Sequence, residues 1–228
     1  MIDPADIHIF IPAFNEASSI EAIIVELRQL GYLHVYVVDD GSTDQTRVSA
    51  KAAQAKVIQH YINRGAGAAT QTAIEYARMA KHPYMILMDA DGQHLPQDLQ
   101  ALVQKMEQSN CDLVIGSRFL QSTADMPRSR RWFNRLANQL TNLMCRQNYT
   151  DSQSGFRMLN RKVIENLNLS LDEYGFCSEM IFVAEQKGWS IAEVPITIIY
   201  TPYSLKKGQN FFTGVQTALS FIRKIIFR

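Results

Sequence analysis

Asp89-Ala90-Asp91 closes the apolar run Tyr84-Met85-Ile86-Leu87-Met88 and places two carboxylates of like orientation at the end of an expected strand. Hard oxygen donors of this kind suit Mg²⁺ or Mn²⁺, which keep several waters and bridge to substrate phosphates instead of filling an all-protein cage. Gln93 and His94 follow at once. Asp39-Asp40-Gly41-Ser42 closes a second apolar run and offers acceptors to a base and a ribose, or a cap to the next helix. Asn63-Arg64-Gly65-Ala66-Gly67 is a place for backbone to approach a ligand, with Arg64 and Gly67 as candidate contacts. It matches neither G-x-x-x-x-G-K-[ST] nor G-x-G-x-x-G, which argues against P-loop NTPases and common dinucleotide enzymes.

These groups need a scaffold that brings them together, and the hydrophobic pattern supplies one. Short β-rich runs are expected at residues 7–11, stopped by Pro12, then at 35–38, 56–60, 84–88 and 113–116. Helical periodicity is expected at 17–30, to about 54, to about 80, and at 96–108. The alternation predicts an α/β fold with a mostly parallel central sheet flanked by helices, whose ligands bind beyond the carboxyl ends of the strands. The polar clusters fall at those ends: Asn15-Glu16, Asp39-Asp40, Asn63-Arg64, Asp89/Asp91 and Ser117-Arg118. The second half is less regular. It holds an amphipathic helix over 127–146, helices near 162–167 and 176–187, a strand over 191–200, and an amphipathic helix from about Phe211.

At 228 residues with 46% hydrophobic and 20% charged residues, the chain is long enough for one sizeable core and too apolar for disorder. Cys111, Cys145 and Cys177 show no C-x-x-C spacing, so neither a disulfide framework nor a thiolate zinc site is expected. The N-terminal residues carry no secretory pattern and no apolar run reaches a membrane span, so a cytoplasmic location is expected. The net charge of +1 hides an asymmetry. Residues 118–146 carry six Arg and only Asp125 as an acid, and 206–228 carry five Lys/Arg and no acid. Both stretches point to an anionic partner, phosphate groups or a membrane surface. Nothing points to nucleic acid.

Taken in order, Pro12-x-x-Asn15-Glu16, Asp39-Asp40-Gly41-Ser42-x-Asp44, Asn63-x-Gly65-x-Gly67-Ala68-Ala69, Met88-Asp89-Ala90-Asp91-x-Gln93-His94-x-Pro96 and Ser117-Arg118 resemble family 2 glycosyltransferases of the GT-A fold. More narrowly, the chain is similar to polyprenyl-phosphate (dolichyl-phosphate) mannosyl- and glucosyltransferases. Asp151-x-x-Ser154-Gly155-Phe156-Arg157 and Glu193-Val194-Pro195-Ile196 carry the likeness to about residue 200. The resemblance implies that Pro12, Asn15, Glu16 and Asp39, with Asp40 beside it, surround the nucleoside. It implies that Asp89, Asp91 and Gln93 hold a divalent cation, Mg²⁺ or Mn²⁺, on the sugar-nucleotide diphosphate. Arg118 then faces the phosphates, with Arg131 of the following basic helix beside it. Asp151 is the carboxylate of the acceptor-side motif, expected to position the sugar or a basic side chain. Subfamily members read R-x-x-G-x-S-K after E-V-P-I, whereas this chain reads Tyr200 to Gln209 differently, so phosphate binding by Lys206 and Lys207 is an expectation from charge alone.

The implied organisation is a glycosyltransferase domain over 1–200 and a basic amphipathic extension over 201–228 that meets a membrane surface or a partner helix. The implied reaction is inverting, metal-dependent transfer from a GDP- or UDP-sugar to a polyprenyl phosphate at the cytoplasmic face of a membrane, with a membrane-anchored partner as a further expectation. Two alternatives stay open at this point: a family 2 transferase acting on a sugar hydroxyl in capsule or lipopolysaccharide assembly, and a non-catalytic nucleotide-sugar-binding scaffold.

Overall fold

The computed structural model describes residues 1–121, 126–173 and 175–200. Seven strands make one sheet: β1 (Ile7–Ala13), β2 (Val35–Asp39), β3 (Lys56–Gln59), β4 (Tyr84–Leu87), β5 (Leu113–Ser117), β6 (Arg157–Asn160) and β7 (Ile191–Pro195). Their order is β3-β2-β1-β4-β6-β5-β7, parallel except for β6, which runs antiparallel to both neighbours. Among the described residues seven α-helices cover it: α1 (Ile20–Gln29), α2 (Thr46–Ala52), α3 (Ala66–Met79), α4 (Leu99–Ser109), α5 (Arg128–Asn142), α6 (Arg161–Asn166) and α7 (Phe176–Gln186).

Strand periodicity divides the core between two faces. Ile9 and Ile11 of β1 pack with Ile24 and Leu27 of α1 and Leu99 and Leu102 of α4 on one face. Phe10 points the other way, among Ala73 and Ile74 of α3, Val163 of α6 and Met180 of α7. Each fully buried Ile or Leu contributes on the order of 1.5–3 kcal/mol, so the helices are held mainly by these stripes. The strand order reverses around β1, with β2 and β3 on one side and β4 on the other. That opens a crevice at the carboxyl ends of β1 and β4.

The first and last strands end differently from the sequence expectation. β1 runs through Pro12 to Ala13, because Pro12 pairs with Val38 while its missing N–H lies on the β4 side, where the β4 pairing has ended at Phe10. The last strand stops at Pro195, and among the described residues beyond it Ile198 makes an antiparallel bridge to His94. β6 was not foreseen. The extension 201–228, with the helix expected from Phe211, lies outside the described residues. No described helix is long and apolar enough to cross a membrane.

Candidate active site

The loops after β1 and β2 are closed on each other by side chains. Asn15 takes a left-handed conformation (φ 55°), its N–H donates to Ser42 Oγ (2.9 Å), and its Oδ1 accepts from Thr43 N (2.9 Å). Glu16 N donates to Thr46 Oγ1 (2.7 Å), and Ala17 N to Asp44 Oδ2 (3.1 Å). Asp39, at the end of β2, accepts from Ser42 N at 3.1 Å. Asn15, Glu16 and Asp39 are thereby tied into one pair of joined loops at the carboxyl ends of β1 and β2, next to Pro12, which pairs with Val38.

Asp40 and Gly67 are engaged by the chain itself. The Asp40 carboxylate is buried and accepts from His60 Nδ1 (2.7 Å), Arg64 N (3.0 Å) and Gly65 N (2.7 Å), so it fixes the 63–65 turn instead of facing a ligand. The close approach that Gly67 permits is to the chain itself. A Cβ there would collide with Leu171 O, and Asp172 O accepts from Gly67 N (2.8 Å) and Ala68 N (3.2 Å). The first N–H groups of α3 are thus occupied, and that helix start is not a phosphate cradle. Glu179 is buried in α7 and holds the same segment by accepting from Ser170 N and Leu171 N, both at 3.0 Å.

The paired aspartates stand at the crevice. Ser19 Oγ donates to Ala90 O (2.6 Å) and ties their loop to the first loop. Asp89 leaves half of its side-chain surface open. Desolvation by the surrounding protein raises its pKa, against the pull of Arg118 and Arg157. Asp91 is also raised, first by burial and then by the neighbouring Asp89 charge. Two carboxylates that each disfavour ionisation of the pair are a site that a cation would relieve. No third His, Cys, Asp or Glu completes a protein-only cage among the described residues, which fits a cation that takes its other ligands from phosphate and water.

Gln93 is drawn to Asp91. Its N–H donates to Asp91 Oδ1 (3.0 Å) and its side-chain amide to Oδ2, so it orients that carboxylate. His94 is buried, stacked on Phe156 with ring centroids 5.0 Å apart, and accepts from Asp89 N at 3.4 Å. Burial lowers its pKa to about 4, so a neutral imidazole props the loop at pH 7. Asp89 also rests on Gly155, where a Cβ would collide with its carboxylate.

A second cluster is built around Arg118. Its Nε and Nη2 reach Asp151 Oδ2 and Oδ1 at 2.6 and 2.7 Å, and its N–H reaches Oδ2 at 2.9 Å. Burial alone would lower the guanidinium pKa, but Asp151 raises it, so the arginine is cationic at any relevant pH. Asp151 is fully buried, and both of its carboxylate oxygens accept from Arg118. Sequence reasoning gave no role to three residues that hold this corner. Glu193 of β7 accepts from Thr150 N (3.0 Å) and Asp151 N (3.1 Å). Asn138 of α5 accepts from Ser152 N at 2.8 Å. Arg157, wholly buried, donates to the carbonyls of Ser152, Ser154 and Cys177. The motifs that contain Arg157 and Glu193 were visible; their work as clamps depends on contacts across 3 to 43 residues.

Arg131 donates to Met126 O (3.1 Å) at the start of α5, and Arg130 reaches Gln93 Oε1 at 3.5 Å. α5 is turned inside out relative to an ordinary surface helix. Its buried residues are Asn138 and Thr141, whereas Trp132 and Leu143 are 59% and 82% exposed. Lys206 and Lys207 lie outside the described residues.

The family model described as Glycosyl transferase family 2 matches residues 8–167. An uncharacterized protein of Methanocaldococcus jannaschii is 37% identical over 99% of this chain and 95% of its own length. The UDP-N-acetylglucosamine–dolichyl-phosphate N-acetylglucosaminyltransferase of Methanococcus voltae is 31% identical, over 91% of each chain. Polyprenol monophosphomannose synthase of Mycolicibacterium smegmatis is 29% identical over 86% of this chain and 80% of its own length. Among solved structures, glucosyl-3-phosphoglycerate synthase of Mycobacterium tuberculosis in complex with phosphoglyceric acid aligns with a TM-score of 0.76 at 19% identity, covering 96% of this chain and 78% of that one. The same enzyme with Mn²⁺ and uridine-diphosphate-glucose aligns at 0.70.

Proposed function

This chain belongs to glycosyl transferase family 2 and is a glycosyltransferase of the GT-A fold, and from that premise we propose that it transfers a sugar, with inversion, from a GDP- or UDP-sugar to a polyprenyl phosphate. The observation that carries this reading is the pairing of Arg118 with a buried Asp151 close to the two aspartates. An acceptor hydroxyl must lose a proton as it attacks and needs a positioned base. Asp151, the carboxylate of the acceptor-side motif, is instead consumed by Arg118. A phosphate monoester, with a second pKa of about 6, is already largely dianionic and needs cations to hold it. The names of the Methanococcus voltae and Mycolicibacterium smegmatis relatives, which specify dolichyl phosphate and polyprenol monophosphomannose, support the same acceptor class.

In this mechanism the loops after β1 and β2 bind the nucleoside through Pro12, Asn15, Glu16 and Asp39. Asp89 and Asp91 would hold Mg²⁺ or Mn²⁺, with Gln93 fixing Asp91. The cation supplies charge neutralisation to the nucleoside diphosphate. Arg118 holds the acceptor phosphate with one oxygen behind the anomeric carbon. That oxygen forms the new C–O bond as the bond to the diphosphate breaks and the nucleotide leaves with the electron pair. Asp151 and Glu193 keep the guanidinium in place.

A lipid acceptor requires the cleft to meet a membrane. The outward Trp132, Phe133 and Leu136 of α5 and Leu143 directly after it, flanked by exposed Arg128, Arg135 and Arg146, suit a helix lying in the interface of an anionic bilayer. We place residues 1–200 as the catalytic domain and 201–228 as a second basic contact with the bilayer or with a membrane-anchored partner. Transfer of radiolabel from GDP- and UDP-sugars into an organic phase containing a short polyprenyl phosphate tests the reaction.

A further inference from the structure

α5 faces two ways. Its outer side carries Trp132 and Leu136, with Arg128 and Arg135 beside them. Among the described residues none of its side chains joins either apolar core, and the two that are buried, Asn138 and Thr141, are polar. The inner side is fastened by hydrogen bonds, and they converge on one short segment. Asn138 donates to Thr150 O (2.5 Å) and accepts from Ser152 N and Ser152 Oγ, both at 2.8 Å. Asn142, one turn on along the same face, donates to Tyr149 O (3.0 Å) and accepts from Tyr149 N (2.9 Å). The two amides between, those of Thr150 and Asp151, go to Glu193 of β7 instead. Asp151 therefore sits where the grip of the sheet meets the grip of α5, and its carboxylate is the one that aims the Arg118 guanidinium.

We propose that Asn138 and Asn142 are positioning residues that couple the lipid-facing side of α5 to Arg118: seating the helix on an anionic bilayer steadies residues 149–152, and with them the guanidinium that receives the acceptor phosphate. The proposal rests on the polyprenyl-phosphate and bilayer reading of the site. A helix fastened by polar contacts, with no share in an apolar core, belongs to the part of a molecule that opens locally at low cost. Burying its outer apolar face in lipid removes that freedom. A segment already ordered loses less entropy when the phosphate arrives, so the enzyme works fastest at the surface where its acceptor lies.

The test measures transfer to geranyl phosphate, a short acceptor added from water, with and without acceptor-free vesicles of phosphatidylcholine and phosphatidylglycerol, and amide hydrogen exchange under the same two conditions. Vesicles should raise the wild-type rate about fivefold or more, the scale of an ordinary coupling between sites, and should slow exchange of the Tyr149 and Ser152 amides by a similar factor. In Asn142→Ala, whose side chain is only half-buried, and in Asn138→Ala, vesicles should raise the rate less than about twofold, while flotation with the vesicles stays at the wild-type level because the outer face is untouched. Partition of geranyl phosphate into lipid is common to all three proteins, so the difference between them reports the coupling. A wild type that floats and transfers, yet shows no vesicle effect on rate or exchange, would overturn the coupling alone, as would a vesicle effect of wild-type size in both variants. A wild type that does not float, or that transfers no sugar to geranyl phosphate, would overturn the bilayer or the acceptor reading and, with it, the role given to the two asparagines.

Discussion

Arg118 and Asp151 are joined by three hydrogen bonds, two through the guanidinium and one through the Arg118 N–H, and the carboxylate that makes them is wholly buried. An arginine held in this way is rigid before substrate arrives, and transfer should depend on it. Arg118→Ala should lower transfer at least about 100-fold, the scale of losing one preorganised charge-stabilising donor. Asp151→Asn keeps the shape and should retain measurable transfer, whereas Asp151→Ala strands a buried charge and should cost about 3–5 kcal/mol of stability. Complete loss of transfer in Asp151→Asn with donor and lipid binding intact, rescued by azide, would establish a general base and favour a hydroxyl acceptor.

Gly155 sets the position of Asp89. A methyl group there collides with the carboxylate, so Gly155→Ala should displace Asp89 and reduce both transfer and Mn²⁺ affinity while the chain stays folded. Circular dichroism with Mn²⁺ titration checks it. A variant that binds Mn²⁺ like wild type would show that Asp89 is not held by this contact.

At the opposite end of the sheet, His8 stacks on His82 with centroids 3.4 Å apart and on His34 at 4.8 Å. Burial, then the neighbouring imidazoles and Lys56, lower His8 to about 3 and His82 to about 4, with Arg161 also facing His82. Both are depressed below the ordinary 6.5, so the unfolded chain binds more protons as pH falls. Their contribution is fully present above pH 6.5 and is lost toward pH 4, at up to about 1.4 kcal/mol per pH unit for each. The raised carboxylates Asp89 and Asp91 act with the opposite sign, so the comparison is made between variants. Thermal melts between pH 7.5 and 5 should fall less steeply in His82→Phe than in wild type, and equal slopes would contradict the assignment.

The outward face of α5 should govern attachment to lipid. Trp132→Ser with Leu143→Glu should abolish flotation with anionic vesicles and leave the melting temperature unchanged, because both side chains are mostly exposed. Undiminished flotation, or a destabilised protein, would mean that this face packs against protein.

The rim of the site was legible in the sequence because strand ends are: each apolar run stops at a polar cluster, and a parallel sheet gathers those ends on one edge. What escaped depends on distant partners. β6 is four residues, Arg157–Asn160, with polar residues at both ends, and becomes a strand because β4 and β5 offer it two antiparallel edges. Gly67 reads as a ligand contact until Leu171, more than 100 residues on, is found against it. Asp40 and Asp39 are adjacent and chemically identical, yet only Asp40 is consumed by the turn at Arg64 and Gly65.

The most direct measurement of the central claim is transfer itself. Purified protein is incubated with radiolabelled GDP- or UDP-sugar, a short polyprenyl phosphate and Mn²⁺, and the label is partitioned between water and solvent. Label should enter the organic phase from one of the donors, in proportion to the lipid phosphate, and should be nearly abolished by Asp91→Ala or by excess EDTA. Label that stays aqueous with every donor, or turnover undiminished in Asp91→Ala, would contradict the account.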